Sequence, residues 1–383
     1  MKTNWVVTTN FHPVWAGPSE RFFRYARISE NQGLKLVFKT LDRGLNTPYE
    51  LLEGVEVFRY ATSSYEVLLD LVATEAESNT QTVHKVIILG LSSKIARFNQ
   101  RLRKMGIRVI YVSTMDFDLD KRDNGQKRGW LRRLLFVQYF KRTINSFDFI
   151  VSSSSFLSQQ YSKKLSISQD KLTVIPNGVN LETFHAKPDA KSRLRQELNI
   201  PTDEFIFLFV GLMVERKGII ELLEAWEKYK KKGGEGVLLC IGAEKRKLGD
   251  EVFFDRYQSL KESVQDEGSV LFQGPSTTIY KYFQAADSFV FMSKLEGMPN
   301  VILEAMACGL PTLLNKFKGF SDDYGVEGEH YLSADVHDQE SIVRGLQKMS
   351  TDEETRAKLS KATQRLIMES FEVSKSIEKY KQL

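Results

Sequence analysis

Short apolar segments rich in Val, Ile and Phe alternate with helical segments along almost the whole of this chain, and that alternation admits few folds. Strands of four to six residues without polar interruption are buried on both faces. They pair in parallel and return through helical crossovers of one hand. A first run reads as strands over 5–9, 34–39, 86–91, 107–113, 149–152 and 172–175, with a helix over 19–31 that Ser19 can cap. The turn Pro176-Asn177-Gly178 closes that run. A second run reads as strands over 205–210, 236–241, 270–272, 288–292 and 311–314, a helix over 218–229, and a helical final third. The expected class is α/β: two Rossmann-like domains, 1–178 and 179–364, facing each other across a cleft. A C-terminal helix over about 365–383 is free to pack back on the first domain. Ligands of such folds bind at the carboxyl ends of the strands.

Composition supports two cores and narrows the surroundings. At 383 residues the chain is too long for one comfortable core, and 25 Phe and 14 Tyr supply bulk for two. Cys240 and Cys308 form neither a disulfide framework nor a metal-ligand spacing, so a reducing cytoplasm is the expected home. The N-terminal segment opens directly as a strand without a signal-peptide core, and the longest apolar run, 205–214, is about half a membrane span.

The net charge of +5 is unevenly placed. Residues 1–180 hold 26 Lys and Arg against 16 Asp and Glu, and residues 94–144 alone hold 14 against 4. Within 120–144, Arg128, Arg132, Arg133, Lys141 and Arg142 interleave with Trp130, Leu131, Leu134, Leu135, Phe136, Tyr139 and Phe140. Basic residues beside apolar ones suit peripheral docking on an anionic membrane surface, on the inner face of the cell membrane. No nucleic-acid partner is expected.

The most informative stretch runs from Glu296-Gly297-Met298-Pro299-Asn300 through Glu304 to Cys308-Gly309-Leu310-Pro311. Gly297 lets a ligand approach the backbone, and Pro299 suits the first turn of a helix. The helix N-terminus offers free N–H groups and a positive dipole end, a seat for a diphosphate. Glu304, about one and a half turns in, can accept both hydroxyls of a ribose. Glu296 stands before the helix, nearer the phosphates. Either glutamate alone reads as a surface carboxylate on an ordinary amphipathic helix; the whole string does not. A second motif, Gly211-Leu212-Met213-Val214-Glu215-Arg216-Lys217-Gly218, joins a strand to a helix and aims two cations at the same cleft, where they would neutralise a diphosphate leaving group.

The glutamate string resembles the signature of the family-4 retaining glycosyltransferases of the bacterial surface-polysaccharide type, whose common form reads E-G-F-P-N-V-L-L-E-A-M-A-C-G-L-P. Met298 and Ile302 are the changes. The resemblance implies the two-domain GT-B fold, with the first domain binding the acceptor and the second the nucleotide-sugar. It implies that Glu304 binds the donor ribose and that Glu296, with the backbone of Gly297, Met298, Pro299 and Asn300, contacts the donor sugar. The loop at Gly211 is similar to the family's phosphate-binding V-G-R-L…K-G loop. Lys217 matches, whereas Leu212 stands in place of the loop's first Arg, with Arg216 as its substitute. Phe272-Gln273-Gly274-Pro275 resembles the loop that touches the nucleotide base. Val174–Asn180 with Phe184 looks like the interdomain linker. Gly17-Pro18-Ser19 resembles the family's Gly-Gly loop, with one Gly only. His12 and Asp116 are the acceptor-side candidates.

The chain lacks a G-x-G-x-x-G after the first strand, a Walker loop and an H-E-x-x-H. The D-x-D forms at Asp116-Phe117-Asp118 and Asp118-Leu119-Asp120 fall in the first half, away from the donor motif. No metal and no cofactor are expected, the nucleotide-sugar being a substrate. The reading is a metal-independent, retaining hexosyltransferase that moves a sugar from a nucleotide-sugar, with UDP the expected nucleotide, to a glycan or lipid-linked glycan in polysaccharide or lipopolysaccharide synthesis. A glycosidase also uses two carboxylates but has no use for the cation loop. A non-catalytic nucleotide-sugar-binding partner protein is the alternative that Leu212 leaves open.

Overall fold

The computed structural model describes residues 2–14, 16–113, 130–244, 249–266 and 268–383, with side chains 130–134 and 266 outside the description. The chain divides into two compact units, Met1–Asn177 with Val373–Leu383, and Gly178–Glu372.

In the first unit the described strands are β1 (Thr3–Thr8), β2 (Lys35–Leu41), β3 (Tyr49–Leu52), β4 (Val55–Tyr60), β5 (Val83–Ile88), β6 (Arg108–Ser113), β7 (Phe149–Ser152) and β8 (Leu172–Val174), ordered β3-β4-β2-β1-β5-β6-β7-β8. All neighbours run parallel except β3 and β4. The two-residue period of a strand splits its side chains between two cores. Trp5 and Val7 pack with Leu68, Leu69 and Val72 of the helix Tyr65–Ser78, whereas Val6 packs with Phe22 and Phe23 of the helix Gly17–Ser29. The hairpin β3–β4 has no strong strand pattern of uninterrupted apolar residues in the sequence. Its two-residue loop, Glu53 (φ 45°) and Gly54 (φ 85°), places both central residues at positive φ, the turn whose twist suits a tight hairpin.

The last helix, Val373–Gln382, returns to this unit: the Tyr380 ring lies 5.2 Å from that of Phe22, and Lys85 Nζ donates to the Tyr380 carbonyl at 2.8 Å. The helical pattern predicts this return from about residue 365. The boundary lies later because the helix Glu353–Ser370 buries Leu359, Thr363 and Ile367 in the second unit. Val179 N then donates to the Phe371 carbonyl at 2.7 Å.

The second unit carries β9 (Ile206–Val210), β10 (Val237–Ile241), β11 (Val270–Gln273), β12 (Ser288–Phe291), β13 (Thr312–Leu314) and the two-residue β14 (Leu332–Ser333), ordered β11-β10-β9-β12-β13-β14 and all parallel. Every residue of β9, β10, β12 and β13 is buried, as the uninterrupted apolar runs require. Strand order reverses between β9 and β12. That switch point leaves a crevice at the carboxyl ends of these two strands, and both motif loops leave the sheet there.

Candidate functional site

The loop after β9 ends in a single turn, Glu215–Lys217, closed by Gly218 at φ +67°. A Cβ on Gly218 would stand 2.0 Å from the Met292 carbonyl oxygen, so glycine alone lets this loop lie against the one after β12. The two loops are then tied together. Lys294 N donates to the Arg216 carbonyl at 2.8 Å, and Ser293 Oγ lies 3.0 Å from the same oxygen. Behind them Asn315 Nδ2 donates to the Ser293 carbonyl at 2.8 Å.

This arrangement brings Glu296, Arg216 and Lys217 together. One carboxylate oxygen, Glu296 Oε1, accepts from Arg216 Nη1 at 2.5 Å, Lys217 Nζ at 2.7 Å and Ser293 Oγ at 2.8 Å. The Glu296 and Lys217 side chains are only 12% and 10% exposed, whereas Arg216 is 43% exposed, so the cluster has one buried and one exposed cation. Burial pushes the Lys217 ammonium below its ordinary value; the Glu296 carboxylate opposes this and the Arg216 charge adds to it. The ammonium lies 5.0 Å from the Phe291 ring centroid. Two cations sharing one carboxylate oxygen are available to a ligand that carries more negative charge than Glu296 does. Gly211 backs the arrangement, with its N–H on the Ile241 carbonyl at 3.0 Å and the Lys217 side chain beside it.

The helix after this loop spans Asn300–Ala307. Pro299 is its N-cap rather than a residue of its first turn, because its ψ of 121° is extended. Gly297, Met298 and Pro299 are buried and Asn300 half-buried. Glu304 is 6% exposed among Ile302, Leu303, Ala305 and Met306. Burial, and after it the Glu304 carboxylate, push the Cys308 thiol well up, which makes that cysteine a poor nucleophile. At the ends of β10 and β11 a recess of about 270 Å³ is lined by Met213, Gly242, Glu244, Tyr257, Phe272 and Gly274. Gly274 is exposed, and a Cβ on it would meet nothing within 4 Å.

The remaining candidates lie in the first unit. Gly17 is the first residue of the helix after β1, with open space where a Cβ would be. The His12 carbonyl accepts from Arg59 Nη1 at 3.0 Å. Asp116 lies outside the described residues, as do 117–129 of the basic run. Of the described cations in that run, Lys94 and Arg101 pair with Asp70, Arg101 also with Glu77, and Arg103 with Asp148. The helix Trp130–Asn145 exposes Leu135 (62%) and Tyr139 (45%) and buries Phe140. Among the described residues no three His, Cys, Asp or Glu are grouped to hold a metal, and no helix is long and apolar enough to cross a membrane.

Several residues that shape one or the other unit are missing from the candidates that the sequence offers. Ser293 has the legible signal of a hydroxyl directly after a buried strand. Gly319 (φ +97°), where a Cβ would stand 2.2 Å from the Glu296 carbonyl oxygen, and Asn315 act through contacts across the sheet that no local pattern announces. Arg21, a buried guanidinium whose Nη1 donates to Asn177 Oδ1, ties the first helix of its unit to the Pro-Asn-Gly turn.

Residues 190–366 match the model of the family described as glycosyl transferases group 1. The chain is 32% identical over 193 residues to TuaC of Bacillus subtilis, named as a teichuronic acid biosynthesis glycosyltransferase, a span of 50% of this chain and 44% of that one. It is 28% identical over 227 residues to the UDP-Gal:alpha-D-GlcNAc-diphosphoundecaprenol alpha-1,3-galactosyltransferase of Escherichia coli, covering 58% of this chain and 56% of the relative. The chain thus spans about half the length of the curated relatives it matches. Over its full length it superimposes on HepE of Anabaena, solved in complex with UDP, with a TM-score of 0.77, 16% identity and coverage of 100% and 99%. The match to the glycosyl transferases group 1 lies within the second unit, and the chain as a whole has the GT-B fold.

Proposed function

We propose that this chain is a retaining, metal-independent glycosyltransferase that moves a sugar from a UDP-sugar to a glycan or lipid-linked glycan acceptor. The observation that carries the reading is the cluster at the switch point: Lys217 and Arg216 converging on Glu296, next to the N-terminus of the helix that holds Glu304. A donor diphosphate outcompetes Glu296 for both cations and takes N–H groups of the helix N-terminus. Glu304 accepts the ribose hydroxyls, and the base enters the recess beside Gly274. Glu296, relieved of its cations, faces the sugar. As the bond from the anomeric carbon to the β-phosphate oxygen breaks, charge grows on the diphosphate. Lys217, held where little water screens it, then stabilises the transition state more than the ground state. The cations and helix end fill the role that a metal plays elsewhere.

The choice of UDP draws on the UDP complex of HepE and the UDP-Gal of the E. coli relative; the acceptor class draws on the names of both relatives. His12, Gly17 and Asp116 are the acceptor-side proposals. Peripheral attachment to the inner face of the cell membrane is proposed on the exposed Leu135 and Tyr139 beside Lys141 and Arg142. Nuclear magnetic resonance of the transfer product tests the mechanism. The donor's anomeric configuration should be kept, with full activity in EDTA; an inverted product or metal-dependent turnover overturns it.

A further inference from the structure

A row of aromatic rings leads from the ion cluster to a tyrosine that makes no visible use of its hydroxyl. Phe291, which holds the Lys217 ammonium over its face, packs edge-on to Phe317 at 6.1 Å. Phe317 packs edge-on to Tyr324 at 6.3 Å, and Phe320 stacks on Tyr324 at 5.3 Å. Tyr324 is 0% exposed, and its hydroxyl is buried with no hydrogen-bond partner among the described residues. Such a group destabilises a fold relative to Phe of the same shape, so the hydroxyl needs a reason to be there.

The segment that carries Tyr324 is pressed against Glu296. Glu296 N donates to the Lys318 carbonyl at 3.2 Å, and the bare backbone of Gly319 lies on the Glu296 carbonyl. Burial, then the charge of Glu296, then that of Asp323 push the Tyr324 pKa well above its ordinary value. The hydroxyl therefore keeps its proton and is available only as a donor toward those carboxylates. As the cluster stands Glu296 does not need it, since Oε1 already takes three donors. A diphosphate that captures Arg216 and Lys217 removes two of the three and leaves a buried carboxylate on Ser293 alone.

We propose that Tyr324 is a positioning residue for Glu296: when the donor diphosphate takes over Arg216 and Lys217, the Tyr324 hydroxyl donates to the Glu296 carboxylate and holds it in place. This rests on the donor-site reading above. The exchange keeps Glu296 charged and oriented at the moment its cations leave.

The test is a double-mutant cycle read by calorimetric binding of UDP, with thermal unfolding of each variant. Without UDP, Tyr324→Phe should melt at or above wild type, because it removes an unpaired buried hydroxyl. UDP should bind Tyr324→Phe roughly tenfold more weakly than wild type. In the Glu296→Ala background the same change should leave UDP affinity unaltered. Equal affinity of wild type and Tyr324→Phe, or the same loss in both backgrounds, overturns the proposal while leaving the donor site intact. A lower melting temperature of Tyr324→Phe without UDP also overturns it, since the hydroxyl would then already be bonded. Wild-type protein that binds none of UDP, GDP and ADP overturns the donor-site reading and this inference with it.

Discussion

The side chains to which the proposed chemistry is assigned have different tasks. Glu304 is a buried carboxylate among Ile302, Leu303, Ala305 and Met306. Glu304→Ala should weaken UDP binding by roughly 2–3 kcal/mol by calorimetry, because the ribose hydroxyls lose their acceptor. The fold should survive, since Ala suits a helix. Lys217→Met should lower turnover more than UDP affinity, because the charge it meets grows as the bond breaks. Lys217 also makes a prediction about pH. Its folded pKa lies below the ordinary 10.5, so above that lowered value the unfolded chain holds more protons than the folded one. Folding therefore gains stability as pH rises through that window, and the gain is lost as pH falls through the folded pKa. The stability of wild type minus that of Lys217→Met, from urea unfolding, should rise as pH climbs from below toward the ordinary 10.5. A flat or falling difference contradicts the burial of this ammonium.

At the scale of elements, what matters is how two loops meet at the switch point. Gly218 combines a left-handed φ with a backbone carbonyl where its Cβ would be, so Gly218→Ala should destabilise by more than about 1–3 kcal/mol in chemical denaturation. Gly17→Ala has open space and a helical position, so it should be neutral or slightly stabilising. Any loss of activity in that variant would then be functional rather than structural. The buried parallel strands were legible because an uninterrupted Val, Ile and Phe run has no other stable use, and both motif loops were legible from their residue types. Three elements were not. The hairpin β3–β4 has only Glu53-Gly54 as its signal, and Glu53 is not a residue that announces positive φ. Strand β14 is two residues long and exists because it pairs with β13. Pro299 was placed one position too far into its helix, because proline's fixed φ serves an N-cap as well as a first turn.

For the whole molecule, the alternation of strand and helix was enough to give two parallel α/β units, since it allows few other layer arrangements. The C-terminal return was legible in kind but not in place. One continuous helical run hides a change of allegiance at Phe371, where the apolar face that packs on the second unit ends and the one that meets Phe22 begins. The charge asymmetry was legible as composition, yet Lys94, Arg101 and Arg103 of the described basic run are already paired with Asp70, Glu77 and Asp148. Flotation with anionic vesicles at low salt should therefore depend on Leu135 and Tyr139 as well as on charge; Leu135→Ser with Tyr139→Ser floating like wild type would contradict that docking face. In the proposed function Glu296 holds Lys217 and Arg216 ready for a diphosphate. Calorimetric titration of UDP into wild type and Lys217→Met, with EDTA present, tests it most directly. One UDP should bind per chain, unaffected by EDTA and weakened at least roughly tenfold in Lys217→Met; equal affinity in the two proteins, or binding that vanishes with EDTA, would rule out a diphosphate held by these cations.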